Sequence, residues 1–487
     1  MASNFYSLLT NEVIKMNDMQ NFNNFSVLKM FNLQESDIEH FHIHLIDNVL
    51  NIDVTLFRKD ELCPHCGHDI YRVKGYVPKK LVHAGFTNQK CVINYKARRY
   101  HCSLCSKTFY EHNPFAFDGM RFTMSTVYNV LKDLKSVNET FTSVASRHNL
   151  STTTVTSIFD NYVDISRGKL SKVMCIDEVY AFKSYRGKYV CVLLDFKTQE
   201  IIDLLPSRKK FDLYNYFETI PKEERDRVKV VSIDMWHTYK VVVEKYFKNA
   251  VCAVDKFHIL QEFTRRFTYV RIQEMNRYRD EPKKTRLEMT QLEIEAQYRR
   301  ETNYTLLKKF NWLLSKRNKV YLEPNSPRKY NRILKGHYNY YEIREKLFMA
   351  NPKLREAHKL QSLLYRLYEL DYEEAEPVLI KLIEQFKQSS IKEMNNFANT
   401  LMTWKKEIIN SFIEVDAIRL NDQGEKELIQ TIVTNATIEN KNKSIKTLKR
   451  NANGFKNWKR FRNRILYSVN QNSVHYLYPI KAKDKKS

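Results

Sequence analysis

No apolar run in this chain approaches the roughly eighteen residues that a bilayer-spanning helix needs, so no membrane partner is expected. The first residues, Met1-Ala2-Ser3-Asn4-Phe5, lack the charged and apolar regions of a secretory signal. A cytoplasmic location is the expectation. The eight cysteines do not form the pattern of a secreted disulfide scaffold. Four fall in two CxxC pairs, Cys63 with Cys66 and Cys102 with Cys105. Cys91, Cys175, Cys191 and Cys252 sit singly in apolar or mixed runs, as small buried side chains do. Glycine is scarce, at 9 residues, while Lys, Asn, Ile and Tyr abound, a bias that suits an AT-rich genome. Acid is scarce relative to base: 56 Asp and Glu against 81 Lys and Arg give a formal charge of +25. That surplus points to a polyanionic partner, most often nucleic acid. A chain that is 43% hydrophobic and 13% aromatic is not a disordered polyelectrolyte. Its 487 residues suggest about three domains.

Residues 1–50 read as a leader. Residues 51–112 hold short alternating runs around the two CxxC pairs, which describes a zinc ribbon. Each knuckle sets two thiolates on one side of a tight turn, and Cys63, Cys66, Cys102 and Cys105 complete a closed tetrahedral site for a structural Zn²⁺. Residues 113–168 read as helices. Within them, 141–159 fits a helix-turn-helix, with Val144, Ala145, Leu150, Val155 and Ile158 as shared core and Ser151 as N-cap. Thr152, Thr153 and Thr156 would then face DNA. From 169 to 261 the order is three strands, helix, strand, helix, strand, which matches a ribonuclease-H-like α/β sheet in which the first and fourth strands are neighbours. Residues 262–430 read as an all-helical insertion, 431–475 as the last part of that ribonuclease-H-like domain, and 476–487 as a basic tail. The fold class is therefore multidomain α+β.

Three carboxylates stand in recognisable contexts. Asp177 lies in the strand Val173-Met174-Cys175-Ile176-Asp177, Asp234 ends the strand Val228–Ile233, and Glu439 opens a basic helix. Carboxylates are the hard oxygen ligands that Mg²⁺ or Mn²⁺ prefers, and paired ions suit in-line phosphoryl displacement. Glu178 is expected to point away from Asp177, because neighbours on a strand face opposite sides. Asp255 and His258 are assigned to support or DNA contact. Glu439, Lys443, Lys446 and Arg450 fall at i, i+4, i+7 and i+11, a ligand followed by a cationic ladder suited to a DNA backbone.

These motifs resemble those of DDE transposases of the ISL-three insertion-sequence family over nearly the whole length. Ile176-Asp177-Glu178 resembles the first-aspartate motif and Ser232-Ile233-Asp234-Met235-Trp236 the second. Val254-Asp255-Lys256-Phe257-His258 and the segment around Trp404 resemble two further family segments. The run from Thr434 through Asn435, Glu439 and Asn442 resembles the last motif, with Thr434, Ala436 and Asn440 departing from it. The resemblance implies an enzyme that binds the terminal inverted repeats of its element, cleaves a strand there and transfers the freed 3′-hydroxyl to target DNA. Asp177, Asp234 and Glu439 would hold two Mg²⁺ ions, with no covalent protein–DNA intermediate. The implied partners are double-stranded DNA and a second copy of the chain. Two other readings stand beside it: a catalytically silent DNA-binding protein or repressor of its element, and a structure-specific nuclease on the same fold.

Overall fold

The computed structural model describes residues 31, 33–84, 89–117, 119–184, 187–279, 289–315 and 322–480. Most of the expected leader (1–30) and the end of the basic tail (481–487) lie outside them. The chain divides into two compact units, Met1–Ile165 with Thr447–Ser487, and Ser166–Lys446.

The first unit begins with five strands: β1 (Ile38–Ile46), β2 (Val49–Leu56), β3 (Tyr71–His83), β4 (Lys90–Cys102) and β5 (Thr108–Tyr110). They form one sheet in the order β1-β2-β4-β3, with β5 on β4. Asp47 and Asn48, at φ 48° and 60°, form the two-residue turn between β1 and β2. Asp and Asn tolerate that left-handed conformation, and such a turn fixes the hairpin's register. One sheet face buries Ile52, Val54, Ile93 and Tyr95 against Phe115. The β3–β4 pairing sets Tyr71 opposite Cys102, so the two cysteine knuckles meet at one end of this hairpin.

Three helices follow, α1 (Met124–Asp133), α2 (Phe141–Arg147) and α3 (Thr152–Tyr162). Asn149 turns the chain with φ 54°, and the Ser151 side chain accepts the Thr154 N–H at 3.0 Å, capping α3. Val144, Ala145, Val155 and Ile158 form the shared core, with Leu150 half-buried at its rim. The helix Trp458–Val469 packs against the same core through Tyr467. Its Arg460 grips Asp160, and its buried Arg464 donates to the carbonyls of Ser136 and Glu139 at 2.9 and 2.8 Å. Sequence reading carried the catalytic region to residue 475; by contacts, residues from Thr447 onward belong with the first unit.

The second unit opens with the antiparallel meander β6 (Val173–Ser184), β7 (Gly187–Asp195) and β8 (Ile201–Leu205). Next come α4 (Lys210–Glu218), α5 (Lys222–Arg225), β9 (Val230–Ile233), α6 (His237–Tyr246) and β10 (Val251–Val254). The sheet order is β10-β9-β6-β7-β8, and β9 runs parallel to both β6 and β10. The chain then runs through α7 (Lys256–Arg277), α8 (Gln291–Lys309), α9 (Asn311–Ser315), β11 (Lys329–Asn331) and β12 (Gly336–Tyr338). It continues with α10 (Tyr340–Ala350), α11 (Pro352–Leu367), α12 (Tyr372–Lys387), α13 (Lys392–Thr403) and α14 (Lys405–Asn410). A hairpin, β13 (Glu414–Leu420) with β14 (Lys426–Ile432), leads into α15 (Ala436–Asn451).

The expectation of an all-helical segment over 262–430 is corrected by the hairpins β11–β12 and β13–β14. In β13–β14 the cause is a turn: Asn421 Oδ1 accepts from Gln423 and Glu425, and Gly424 supplies φ +82°. The helices share one continuous apolar core with the sheet, from Ile176 and Ile233 to Phe263, Phe386 and Trp404. α14 is also tied to β10, where Asn410 donates to the Cys252 carbonyl at 2.7 Å. No helix among the described residues is long and apolar enough to cross a membrane.

Candidate active site and cysteine cluster

The parallel pairing of β6 with β9 ends at Cys175–Ser232. Past that point no strand among the described residues flanks β6 on this side, and Asp234 follows the end of β9 there. Asp177, Glu178 and Asp234 each bring a carboxylate oxygen there, all within 4.8 Å of one another. This corrects the expectation for Glu178. Alternation still starts the two side chains on opposite faces, but where no paired strand covers the edge the longer Glu178 side chain brings its carboxylate round to the Asp177 side. Glu178 pairs with Arg208 and accepts the Tyr239 hydroxyl at 3.2 Å. The Arg208 guanidinium lies over the rings of Tyr189 and Trp236, at 4.3 and 4.7 Å.

Asp177 is 8% exposed. One of its oxygens accepts the Glu178 N–H at 2.7 Å, and the other accepts from Asn442 Nδ2 at 2.8 Å. Burial pushes its carboxyl up to about 6, with the Glu178 N–H and His258 pulling it down and Glu178 and Glu439 adding to the rise. Asp234 is pushed up to about 8 by burial, and then by the charges of Glu178 and Asp177. Asp177 and Asp234, held out of water beside each other, resist ionising together, and a cation relieves that resistance.

Glu439 is half-buried in the first turn of α15 and lies outside the 4.8 Å group. Its charge is felt at both Asp177 and Asp255. The helix is anchored on either side of it, by Asn442 on Asp177 and by Asn435 Oδ1, which accepts the Ser232 hydroxyl at 3.0 Å. Asp255 is 1% exposed at the end of β10. Burial raises its carboxyl, against His258 and the N–H groups of Phe257 and Asn435. Four buried polar atoms around this site have no partner among the described residues: Asp255 Oδ2, His258 Nε2, Asn435 Nδ2 and Asn442 Oδ1. An all-oxygen carboxylate set bordered by such unspent polar capacity suits a hard divalent ion and its water.

Sequence reasoning gave no role to Asn435, Asn442, Arg208 or Tyr239. A signal for the first two was present: Asn435, Glu439 and Asn442 fall at i, i+4 and i+7, one face of a helix. On α15 Lys443, Lys446 and Arg450 are exposed, while Ile438, Ile445 and Leu448 are buried. On α3 Thr152 and Thr153 are exposed. Thr156 is half-buried and donates its hydroxyl to the Thr152 carbonyl at 2.7 Å.

The cysteine cluster is closed. Cys63 Sγ lies 3.7 Å from Cys105 Sγ and Cys66 Sγ 3.6 Å from Cys102 Sγ. Both knuckles end on a left-handed residue, Gly67 at φ 77° and Ser106 at φ 57°. Backbone N–H groups of Cys105 and Leu104 hold the Cys102 thiol down at about 6. Cys66, despite the His68 backbone, is pushed up to about 12 by burial and its sulfur neighbours. Four sulfurs in this arrangement fit a structural zinc. Tyr71, Tyr100 and Phe109 pack around them.

Comparison with known families places the chain among transposases. The family model for ISL3-type DDE transposases, described as "Transposase", matches residues 174–465. A second, described as the helix-turn-helix domain of transposase family ISL3, matches residues 111–163. The transposase for insertion sequence element IS1001 of Bordetella parapertussis is 23% identical over 225 residues, 45% of this chain and 54% of that protein. The chain thus spans about half the length of this relative. With the first model matching well over half of its residues, the chain belongs to the ISL3 family of transposases.

Proposed function

We propose that this protein binds the terminal inverted repeats of its own element, cleaves a strand at each end, and joins the freed 3′-hydroxyl to target DNA. The observation that carries the reading is the convergence of Asp177, Glu178 and Asp234 at the open edge of β6, with α15 and Glu439 anchored beside it. A sheet of three antiparallel strands extended by two parallel ones supports a ribonuclease-H-like fold, with the segment from α7 to β14 inserted before the last carboxylate.

Asp177, Asp234 and Glu439 would hold two divalent ions, Mg²⁺ or Mn²⁺. Such ions lower the pKa of water and stabilise a leaving oxygen. The chain's own residues do the rest. Asn442 and the Glu178 N–H fix the Asp177 carboxylate. Arg208 holds Glu178 and offers positive charge at the rim. Lys443, Lys446 and Arg450 present a cationic face for a DNA backbone, and Thr152, Thr153 and Thr156 on α3 would contact the end sequence, with a second copy of the chain on the other end.

The test is cleavage of labelled element-end DNA with Mg²⁺ or Mn²⁺, with binding followed in parallel. Glu439→Gln, Asp177→Asn and Asp234→Asn should each lower cleavage by orders of magnitude while binding survives. Asp255→Asn should lower it less. Normal cutting by Glu439→Gln beside a dead Asp255→Asn would overturn the choice of third carboxylate. A wild type that binds both ends and never cuts would favour a silent DNA-binding protein.

A further inference from the structure

Beyond the active site and the cysteine cluster, one other group of metal-ligating side chains converges among the described residues: His42, His44 and Asp53, within 4.8 Å of one another. We propose that they form a second metal site, on the solvent face of the β1–β2 hairpin, for a first-row divalent cation of the zinc class.

The placement follows from strand alternation. Phe41 and Ile43 of β1 pack toward the core, so His42 and His44 project from the opposite face. The Asp47-Asn48 turn fixes the register, and His42 pairs directly with Asp53 on β2. Asp53 in turn pairs with Asn94 on β4. Asn94 Nδ2 donates to Asp53 Oδ1 at 2.8 Å and to Asn51 Oδ1 at 3.2 Å. One carboxylate oxygen is thereby pinned, and Oδ2 lies 3.5 Å from His44 Nδ1. A carboxylate oriented by a side-chain amide is the usual support of a metal ligand.

The spacing argues for an ion rather than a loose polar cluster. His42 Nδ1 and His44 Nδ1 are 3.2 Å apart, and their rings are stacked with centroids at 5.1 Å. Ligands at zinc–nitrogen or zinc–oxygen bond lengths of about 2.0–2.1 Å span a tetrahedral edge of about 3.3–3.4 Å. The observed 3.2 and 3.5 Å bracket it. The same chain supplies a check. Zinc–sulfur bonds of about 2.3 Å give an edge of about 3.8 Å, and the cysteine cluster shows 3.6 and 3.7 Å. Two imidazoles and a carboxylate are three ligands, which leaves a fourth position for water or another donor. A groove of about 800 Å³, lined by His40, Asn94 and Lys96, opens beside Asp53. The competing arrangement is one proton shared between the two imidazoles, with Asp53 as their ion-pair partner. It would take up no metal.

The experiment is zinc content of the full-length protein after equilibration with micromolar Zn²⁺ and removal of the unbound ion. Two zinc per chain are expected. His42→Ala/His44→Ala, and separately Asp53→Asn, should leave one, the ion of the cysteine cluster, with an unchanged circular dichroism spectrum. All three side chains are at least partly exposed, so these variants should fold. One zinc in the wild type, or two in the variants, overturns the site. The readout needs neither DNA nor Mg²⁺, so its failure is separate from failure of the proposed strand cleavage.

Discussion

Burial is the main reason that the carboxyls of Asp177 and Asp234 sit above their ordinary range, at about 6 and about 8. The folded apo-protein therefore holds protons that the unfolded chain releases near pH 4. By linkage, the stability tied to these groups is full below that pH and is lost as pH rises through 6 and toward 8. A divalent ion binds the ionised carboxylates and should restore more at pH 8 than at pH 6. The check is the rise in Tm on adding Mn²⁺ at both pH values, in the wild type and in Asp234→Asn. Equal rises at both pH values in the wild type would count against the site. Glu178 deserves its own variant. Glu178→Gln removes the ion pair with Arg208 and one of the three converging charges, and cleavage should fall by about 10- to 100-fold, as for other residues that support a metal site. Unchanged cleavage would return Glu178 to a structural role. At this scale the sequence made Asp177 and Asp234 legible through their strand positions. It hid Glu178, because alternation says nothing about where a neighbouring strand stops.

Periodicity located most elements well, because a buried face forces a regular apolar pattern. The meander, the helix-turn-helix and the apolar side of α15 all follow from it. It failed at β13–β14, where half of the residues are polar, most are at least partly exposed, and the turn carries the information. It could not show how the two CxxC knuckles meet either; the register of β3 on β4 does that. The cysteine cluster gives the element-scale prediction. Cys63→Ser should lose the tightly held zinc, lower Tm and weaken end-specific DNA binding. Protein with reduced, intact thiols that carries no zinc would falsify the structural-zinc reading.

Across the whole molecule, charge rather than shape gives the prediction. With a net charge of +25 and an exposed ladder on α15, binding to duplex DNA should be strongly salt-dependent. A surface that neutralises six or more phosphates loses about a thousandfold or more in affinity between 50 and 200 mM salt. A flat response across that range in a titration of labelled DNA would count against backbone tracking. The linear order of modules was legible, since each has its own composition or spacing. That the chain returns from the second unit to the first was not, because a helix such as Trp458–Val469 displays an apolar face without naming its partner.

That return has a consequence for synthesis. Domains emerging from a ribosome fold from the N-terminal side first, yet the helix-turn-helix core includes Tyr467 and its flank is tied by Arg460 and Arg464. A nascent chain halted anywhere in residues 166–446 would carry α1–α3 with that flank open. The core is complete only after the whole second unit has been translated, so the closure of this module reports that the carboxylate-bearing unit has already been made.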